Sequence, residues 1–221
     1  MRYYPICLDL EGRPVLVVGG GIIAEGKILP LIEATAAVHV VSLTLTRKLQ
    51  TLADSSVITF RQGEFVPSDL EQKLLVICAT NQQAVNEAVA RAANERGLLC
   101  NVVDQPTLCN FITPSLLSRG DLQISISSSG KSPTVAQRVK REISALIGDE
   151  YETLLEITAE LRAEARTLIP TFDERRDFLK SFVESAALDL IRAGKAEAAR
   201  ELAQQMVATY RSENLREQIL H

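Results

Sequence analysis

Val15-Leu-Val-Val-Gly-Gly-Gly-Ile-Ile-Ala24 is an apolar, β-branched run that breaks into three consecutive glycines and then opens a helical pattern. The spacing Gly19-x-Gly21-x-x-Ala24 fits the G-x-G-x-x-G/A fingerprint, whose glycines allow a tight turn and close approach of a pyrophosphate to the backbone. The N-terminus of the following helix would offer free N–H groups and a partial positive charge to the same anion. We therefore predict a dinucleotide site here, the alternative being an ordinary glycine-rich turn.

Around this stretch, apolar strand patterns alternate with helical ones. Residues 3–11 are expected to form a short edge strand, and Pro30 to kink or shorten the first helix because it lacks an N–H donor. The alternation predicts a Rossmann-like parallel sheet of the α/β class with right-handed crossovers. Beyond the first strand, we predict strands at 38–42, 57–61, 73–79 and 98–103, and helices at 22–33, 47–53 and 82–96.

The pattern changes after Pro106. Two strands within 111–127 are predicted to form a hairpin with its turn at 118–121, followed by a helix that Ser132 caps and Pro133 begins. Such a small hairpin and helix cannot bury their faces alone, so we expect this segment to pack against a second subunit.

The C-terminal part is rich in helical patterns and charges, with turns expected near Pro170 and Gly194. A helical domain is therefore predicted to complete the chain. The predicted organisation is a dinucleotide-binding Rossmann domain at 1–110, a dimerisation segment at 111–148 and a helical C-terminal domain at 149–221.

Composition limits the classes of function. The 221 residues are 46% hydrophobic and carry a net charge of −4, which argues against a general nucleic-acid binder. The first eleven residues contain acids where a signal peptide needs an apolar region, and 18 apolar residues never run together. We therefore expect a cytoplasmic protein with neither nucleic acid nor membrane as a partner.

Metal ligands are scarce in this sequence. The two histidines are His39, inside an apolar strand pattern, and His221, so a histidine-based metal site or catalytic triad is nearly excluded and no metal site is predicted. The cysteines form no C-x-x-C pair and are expected to be buried free thiols rather than metal ligands or a disulfide. They are Cys7, Cys78, Cys100 and Cys109.

Ligands of open parallel sheets bind beyond the carboxyl ends of the strands. The second strand ends in hydroxyl residues, with Arg47 and Lys48 a little further on, where many NAD proteins place an acid for the ribose diol. The choice between NAD and NADP therefore stays open. The candidate cofactor residues are Gly19, Gly21, Ile22, Ile23, Ser42, Leu43, Thr44, Ala79 and Thr80.

Three further features have both a chemical and a structural interpretation. Asp104 ends the fifth strand pattern and is either a carboxylate at the mouth of the crevice or a turn residue before Pro106. The serines at 127–129 form either an ordinary loop or a site for carboxylates. Arg175 and Arg176 are either ligands or part of a solvated helix face.

Together these motifs resemble the precorrin-2 dehydrogenase family, which forms the N-terminal half of siroheme synthase. The large methyltransferase domain of fused siroheme synthases has no counterpart in this sequence, so the resemblance is to the stand-alone form. The resemblance covers essentially the whole chain in order and spacing. Its motifs are Pro5-Ile6, Val17-Val-Gly-Gly-Gly-Ile-Ile-Ala-Glu-Gly-Lys27, Ala79-Thr-Asn81, Cys100-Asn-Val-Val-Asp104, Phe111-Ile-Thr-Pro-Ser115 and Ser127-Ser-Ser-Gly-Lys-Ser-Pro133.

The resemblance implies a homodimer that oxidises precorrin-2 to sirohydrochlorin with NAD. In some members of the family Fe²⁺ insertion at the same site then gives siroheme. By position, Ile22, Ile23, Leu43 and Thr44 fall at cofactor contacts, Asp104 at the catalytic carboxylate, and Ser128 in an active-site loop. Pro30 and Thr35 depart from the family pattern, which has a helix-continuing residue and a glycine there.

Such chemistry agrees with the residues present. One carboxylate near the transferring carbon suffices as general base, and we assign that role to Asp104. The substrate carries eight carboxylates, which would meet cations and N–H groups. The expected substrate contacts are Ser127, Ser128, Lys131, Arg138, Arg175 and Arg176.

Two questions stay open at this point. Fe²⁺ insertion is undecided, because other chelatases often use histidine and none is suitably placed here. The alternative function is a dinucleotide-sensing regulatory module without catalysis, whose dimer would change shape with the redox state of the cofactor. A sensor accounts for the glycine turn but not for the serine loop or for Asp104.

Overall fold

The computed structural model describes the backbone of residues 3–220 and the side chains of residues 3–212. The chain divides into two compact units, which meet in sequence at Thr113 and Pro114. The domain boundaries suggested by sequence, at 110 and 148, stay predictions.

The first unit contains a five-stranded parallel sheet in the order β3-β2-β1-β4-β5. This topology confirms the predicted Rossmann-like α/β class. Its strands are β1 (Pro14–Val18), β2 (Ala37–Ser42), β3 (Thr59–Gln62), β4 (Leu75–Cys78) and β5 (Leu99–Val102). Its α-helices are α1 (Ile22–Glu33), α2 (Arg47–Asp54) and α3 (Gln83–Glu95), and short 3₁₀ turns lie at Pro67–Leu70 and Pro106–Leu108.

Both faces of the sheet are buried, which explains why its strands are continuous apolar runs. Val15 and Val17 of β1 pack with Ile28 of α1 on one face. Leu16 of β1 packs with Val89 of α3 on the other face. The alternation of side chains along one strand thus fixes a helix layer on each side of the sheet.

Two expectations about the N-terminal region were wrong, the edge strand and an early end of the first helix, whereas a kink at Pro30 stays a prediction. Residues 3–10 form no strand, and Tyr4 and Ile6 are 82% and 62% exposed. Pro5 has no N–H group to donate to a neighbouring strand, and an extended segment that pairs with no other strand gains no hydrogen bonds. Helix α1 continues through Pro30 to Glu33, because a proline in the last turn removes only one intrahelical bond. Thr35 adopts φ +56°, so it follows the left-handed backbone expected of the family glycine at this helix end.

The second unit begins with an antiparallel hairpin of β6 (Ser115–Arg119) and β7 (Leu122–Ile126). Its first strand starts four residues later than predicted, directly after Pro114. Helix α4 (Pro133–Ser144) begins as predicted, with the Ser132 Oγ accepting a hydrogen bond from the Val135 N–H at 3.2 Å.

The remainder of the second unit is helical, as predicted. Leu154, Ile157 and Phe182 form part of its buried core. No helix within the described residues is long and apolar enough to span a membrane. The helices are α5 (Glu150–Leu168), α6 (Phe172–Val183), α7 (Ala187–Arg192) and α8 (Ala196–Leu220).

The four cysteines are free thiols. Cys78 and Cys100 are buried and Cys109 is partly buried, as expected, but Cys7 is exposed because its segment packs in no sheet. Within the described part of the chain, no three His, Cys, Asp or Glu side chains converge on a metal-sized site.

His39 is a half-buried side chain in β2 and should make stability depend on pH. Burial, with the nearby charge of Lys73 as the smaller cause, lowers the pKa of His39 below its usual 6.5. The unfolded chain therefore binds a proton more readily, and the stabilising contribution of the neutral ring is lost as pH falls below about 6.5. We expect the free energy of unfolding in urea to fall more between about pH 7.5 and pH 5 in the wild type than in His39→Gln. An equal fall in both proteins would contradict this.

Candidate functional site

A crevice of about 880 Å³ lies at the carboxyl ends of the parallel strands in the first unit. Its volume lies in the range of small-molecule and cofactor sites. All nine candidate cofactor residues line it, and so does Asp104. That they contact a cofactor stays a prediction. The lining also includes residues that sequence reasoning did not select, among them Glu64, Phe65, Asn86 and Gln105.

The three glycines have different structural roles. Gly19 adopts φ +120°, and a Cβ there would collide with the carbonyl oxygen of Ala79. A Cβ on the buried Gly20 would collide with the carbonyl oxygen of Thr44 and would lie 2.9 Å from the Ser42 Oγ. A Cβ on the exposed Gly21 would meet no atom within 4 Å, so the space beside this residue is open to a ligand.

The N-terminus of α1 meets this open space. Gly21 is the N-cap residue and provides no side-chain cap for the first N–H groups of the helix. Ile22 and Ile23 follow it with 81% and 58% of their surfaces exposed. Uncapped N–H groups at a helix start favour a phosphate, so the structure fits the pyrophosphate of a dinucleotide at this position.

Asn86 organises the opposite wall of the crevice and was missed by sequence reasoning. Its buried Oδ1 accepts hydrogen bonds from the Thr80 Oγ1 at 2.6 Å and from the Cys78 Sγ at 3.2 Å. Its Nδ2 donates to the Thr80 carbonyl oxygen at 3.3 Å. Burial raises the pKa of Cys78 to about 12, which keeps the thiol protonated as a donor. The available signal was a polar residue between Val85 and Val89 on the apolar face of α3.

Loss of this side chain should loosen the turn that follows β4. We expect Asn86→Leu to lower the free energy of unfolding by about 2 kcal/mol, because the Thr80 and Cys78 groups would lose their buried partner. Urea denaturation checks this, with Glu95→Leu on the exposed surface of the same helix as the control. A loss of stability no larger than that of the control would show that Asn86 is not needed for the turn.

Asp104 lies at the far end of the crevice from β3, directly beyond β5. It adopts φ +59°, a left-handed conformation that aspartate and asparagine tolerate better than most residues. Asp104 is therefore a turn residue and also presents an exposed side chain on the crevice wall, and its role as a general base stays a prediction. Next to it, Gln105 donates from Nε2 to the Gln83 Oε1 at 2.5 Å and ties this turn to the start of α3.

The predicted substrate-binding serines belong to the second unit. The Ser127 Oγ accepts from the Ser129 N–H at 3.1 Å, and the Ser128 Oγ accepts from the Ser132 N–H at 3.0 Å. Ser129 and Gly130 both have positive φ angles, 56° and 80°. The loop is thus a tightly folded turn before α4, and a role in substrate binding stays a prediction.

The predicted substrate-binding arginines, also in the second unit, already have protein partners. Arg138 pairs with Glu142 at 2.8 Å, and Arg176 pairs with Asp173 at 2.8 Å. Arg175 donates to the carbonyl oxygens of Ile169 and Pro170, at 2.7 and 2.8 Å, across the connection from α5 to α6. Arg175 therefore helps to hold the connection between α5 and α6 in place. Contact with a substrate by these arginines or by Lys131 stays a prediction.

Three family models match successive parts of the chain. They are described as putative NAD(P)-binding (residues 6–115), sirohaem biosynthesis protein central (119–146) and sirohaem synthase dimerisation region (150–207). This chain belongs to the precorrin-2 dehydrogenase and siroheme synthase family. The family's dimerisation model matches the helical part of the chain, so dimer contacts through 111–148 stay a prediction.

Curated members of the family are similar to most of this chain. Siroheme synthases of Nitrosomonas europaea and Methylococcus capsulatus are each 39% identical to this chain, over 91% and 89% of its length. The chain spans only 42% of the length of each of these relatives. Among solved structures, SirC, a precorrin-2 dehydrogenase, superposes with a TM-score of 0.77 at 26% identity, covering 92% of this chain and 100% of that one.

Proposed function

We propose that this chain oxidises precorrin-2 to sirohydrochlorin in siroheme biosynthesis, with NAD⁺ as the hydride acceptor. One observation carries the proposal: a single crevice joins the uncapped start of α1, beside the open Gly21, to the exposed carboxylate of Asp104. Membership of a family that includes a precorrin-2 dehydrogenase of the same fold supports the choice of substrate.

The first unit would hold the cofactor along the crevice. Backbone N–H groups of Ile22 and Ile23 would bind the pyrophosphate, and the hydroxyls of Ser42 and Thr44 would face the adenosine ribose. The turn at Ala79 and Thr80, fixed by Asn86, would support the nicotinamide half. NAD⁺ supplies a carbon that accepts a hydride from the substrate.

Asp104 would take the proton that aromatisation of the macrocycle releases. Its side chain is exposed, and no described side chain hydrogen-bonds to it, so its carboxylate is free to accept a proton. The serine loop and Lys131 would offer hydroxyl, N–H and ammonium groups to substrate carboxylates. We further propose a cytoplasmic homodimer, which size-exclusion chromatography with light scattering tests for its oligomeric state.

An anaerobic mixture of the purified chain, NAD⁺ and precorrin-2 tests the reaction. We expect NADH absorbance to rise in step with the colour change of the tetrapyrrole. A dinucleotide sensor would bind NAD⁺ and give neither change. Fe²⁺ as a second substrate is tested separately, by adding Fe²⁺ or Co²⁺ to sirohydrochlorin and following the spectrum of the metallated ring.

A further inference from the structure

A glutamate reaches the crevice from a strand where the family fingerprint does not place one. The second strand ends in Ser42, but Glu64, just beyond β3, lines the same crevice. We propose that Glu64 is the residue that selects NAD over NADP, by opposing the 2′-phosphate of NADP. This inference rests on the proposed function, because it assumes a dinucleotide in the crevice.

The backbone places Glu64 beside the end of β2. The Gly63 N–H donates to the Ser42 carbonyl oxygen at 3.0 Å, and the Gln62 Nε2 donates to the Leu43 carbonyl oxygen at 3.1 Å. The usual ribose-binding acid stands at the end of β2. Paired strands lie about 4.8 Å apart, so Glu64, which comes just after β3, lies about one strand spacing from that position. The adenosine half of a dinucleotide occupies this end of such a sheet.

The loop that carries Glu64 is held firmly. The Arg61 Nε donates to the Asp69 Oδ1 at 2.8 Å, and the Arg61 Nη2 donates to the Glu64 carbonyl oxygen, also at 2.8 Å. The Asp69 Oδ2 in turn accepts from the Val66 N–H at 2.8 Å. These bonds fix the backbone at Glu64 and Val66, so the loop that carries the carboxylate is held beside the crevice.

The neighbouring cations are occupied elsewhere. Arg61 is paired with Asp69, and this hydrogen-bonded pair raises the pKa of the arginine. Lys48 lies 3.9 Å from the Glu25 Oε1, and Glu25 also accepts from the Thr46 Oγ1 at 2.7 Å. Arg47 starts α2 and does not line the crevice. The charge that a 2′-phosphate would meet at the crevice wall is therefore the carboxylate of Glu64.

Charge repulsion and hydrogen bonding act in the same direction. A phosphate monoester carries nearly two negative charges at neutral pH, whereas the hydroxyls of an unmodified ribose can donate to a carboxylate. At a separation of about 5 Å, and even at the dielectric constant of water, the repulsion of two phosphate charges corresponds to roughly a tenfold difference in the dissociation constant. NAD⁺ should therefore bind at least about tenfold more tightly than NADP⁺.

Isothermal titration of the full chain with NAD⁺ and NADP⁺ tests this residue. Glu64→Gln should bring the two dissociation constants within about threefold of each other, mainly by tightening NADP⁺, and Glu64→Lys should favour NADP⁺. The control is Glu71→Gln, an exposed acid of the same loop region outside the crevice, which should keep the wild-type ratio. Raising the salt concentration from about 0.05 to about 0.5 M should narrow the ratio in the wild type and not in Glu64→Gln.

The outcomes separate the two proposals. An unchanged ratio in Glu64→Gln, with NAD⁺ still bound by both proteins, overturns the role of Glu64 and leaves the proposed function standing. A wild type that binds neither dinucleotide overturns both. A wild type that prefers NADP⁺ overturns the role of Glu64 and the choice of NAD⁺ as the hydride acceptor, and leaves the oxidation of precorrin-2 as the proposed reaction.

Discussion

Asp104→Asn should slow NAD⁺-dependent oxidation of precorrin-2 by about 10²- to 10⁴-fold, the range expected for removal of a general base. The substitution is nearly isosteric, and asparagine tolerates the left-handed backbone that residue 104 adopts at φ +59°. The fold and the cofactor-binding wall should therefore remain intact. Single-turnover formation of NADH measures the loss, and the dissociation constant of NAD⁺ should stay unchanged.

A matched substitution separates chemistry from architecture at this position. Asp104→Ala also removes the carboxylate. Alanine, however, lacks the short polar side chain that makes a left-handed backbone tolerable, so this variant should lose about 1 kcal/mol or more of stability. We expect both variants to lose activity and only the alanine variant to lose stability. If Asp104→Asn oxidised precorrin-2 at the parental rate, Asp104 would not be the general base.

The second large effect is expected at Gly20. Gly20→Ala should lower the free energy of unfolding by about 3 kcal/mol, because the new Cβ would collide with the Thr44 carbonyl oxygen and crowd the Leu45 side chain at 2.8 Å. The carbonyl belongs to the backbone after β2, so relief requires a shift of that loop. Thermal and urea denaturation measure the loss.

Gly21→Ala is the matched control for this collision. Its φ of −83° suits alanine, and its Cβ would meet nothing within 4 Å, so the free energy of unfolding should fall by no more than about 1 kcal/mol, the cost of alanine relative to glycine at an N-cap. The added methyl group would instead occupy the open space where a pyrophosphate is proposed to bind, and NAD⁺ affinity should fall by about tenfold or more. Equal losses of stability in both variants would contradict this division of roles.

Much of the fold follows from local pattern. Thr46 caps α2, accepting from the Leu49 N–H at 3.2 Å, because a threonine before a helical pattern can satisfy a free N–H. Burial on both faces makes β1 and β4 continuous apolar runs, so their positions could be predicted to within two residues. Residues 3–11 were wrongly predicted as a strand, because local pattern does not reveal whether a neighbouring strand exists.

The candidate site shows the same division. The glycine turn and Asp104 could be found because each follows a recognisable strand and has an unusual residue type for its position. Asn86 could not, since its partners Thr80 and Cys78 are identified only when α3 packs against β4. Gly20 occupies a variable position of the fingerprint. Only glycine fits there because the carbonyl group of a residue 24 positions later in the sequence leaves no room for a Cβ.

The sequence by itself determined the alternating α/β architecture, the glycine turn and the helical C-terminal part, because hydrophobic periodicity, capping residues and glycines act over a few neighbouring positions. Only the tertiary structure decided that Glu64 shares a crevice with Ser42 and that Arg61 is committed to Asp69. Those relationships depend on the order in which the parallel strands pair and on contacts between loops that lie far apart in the chain.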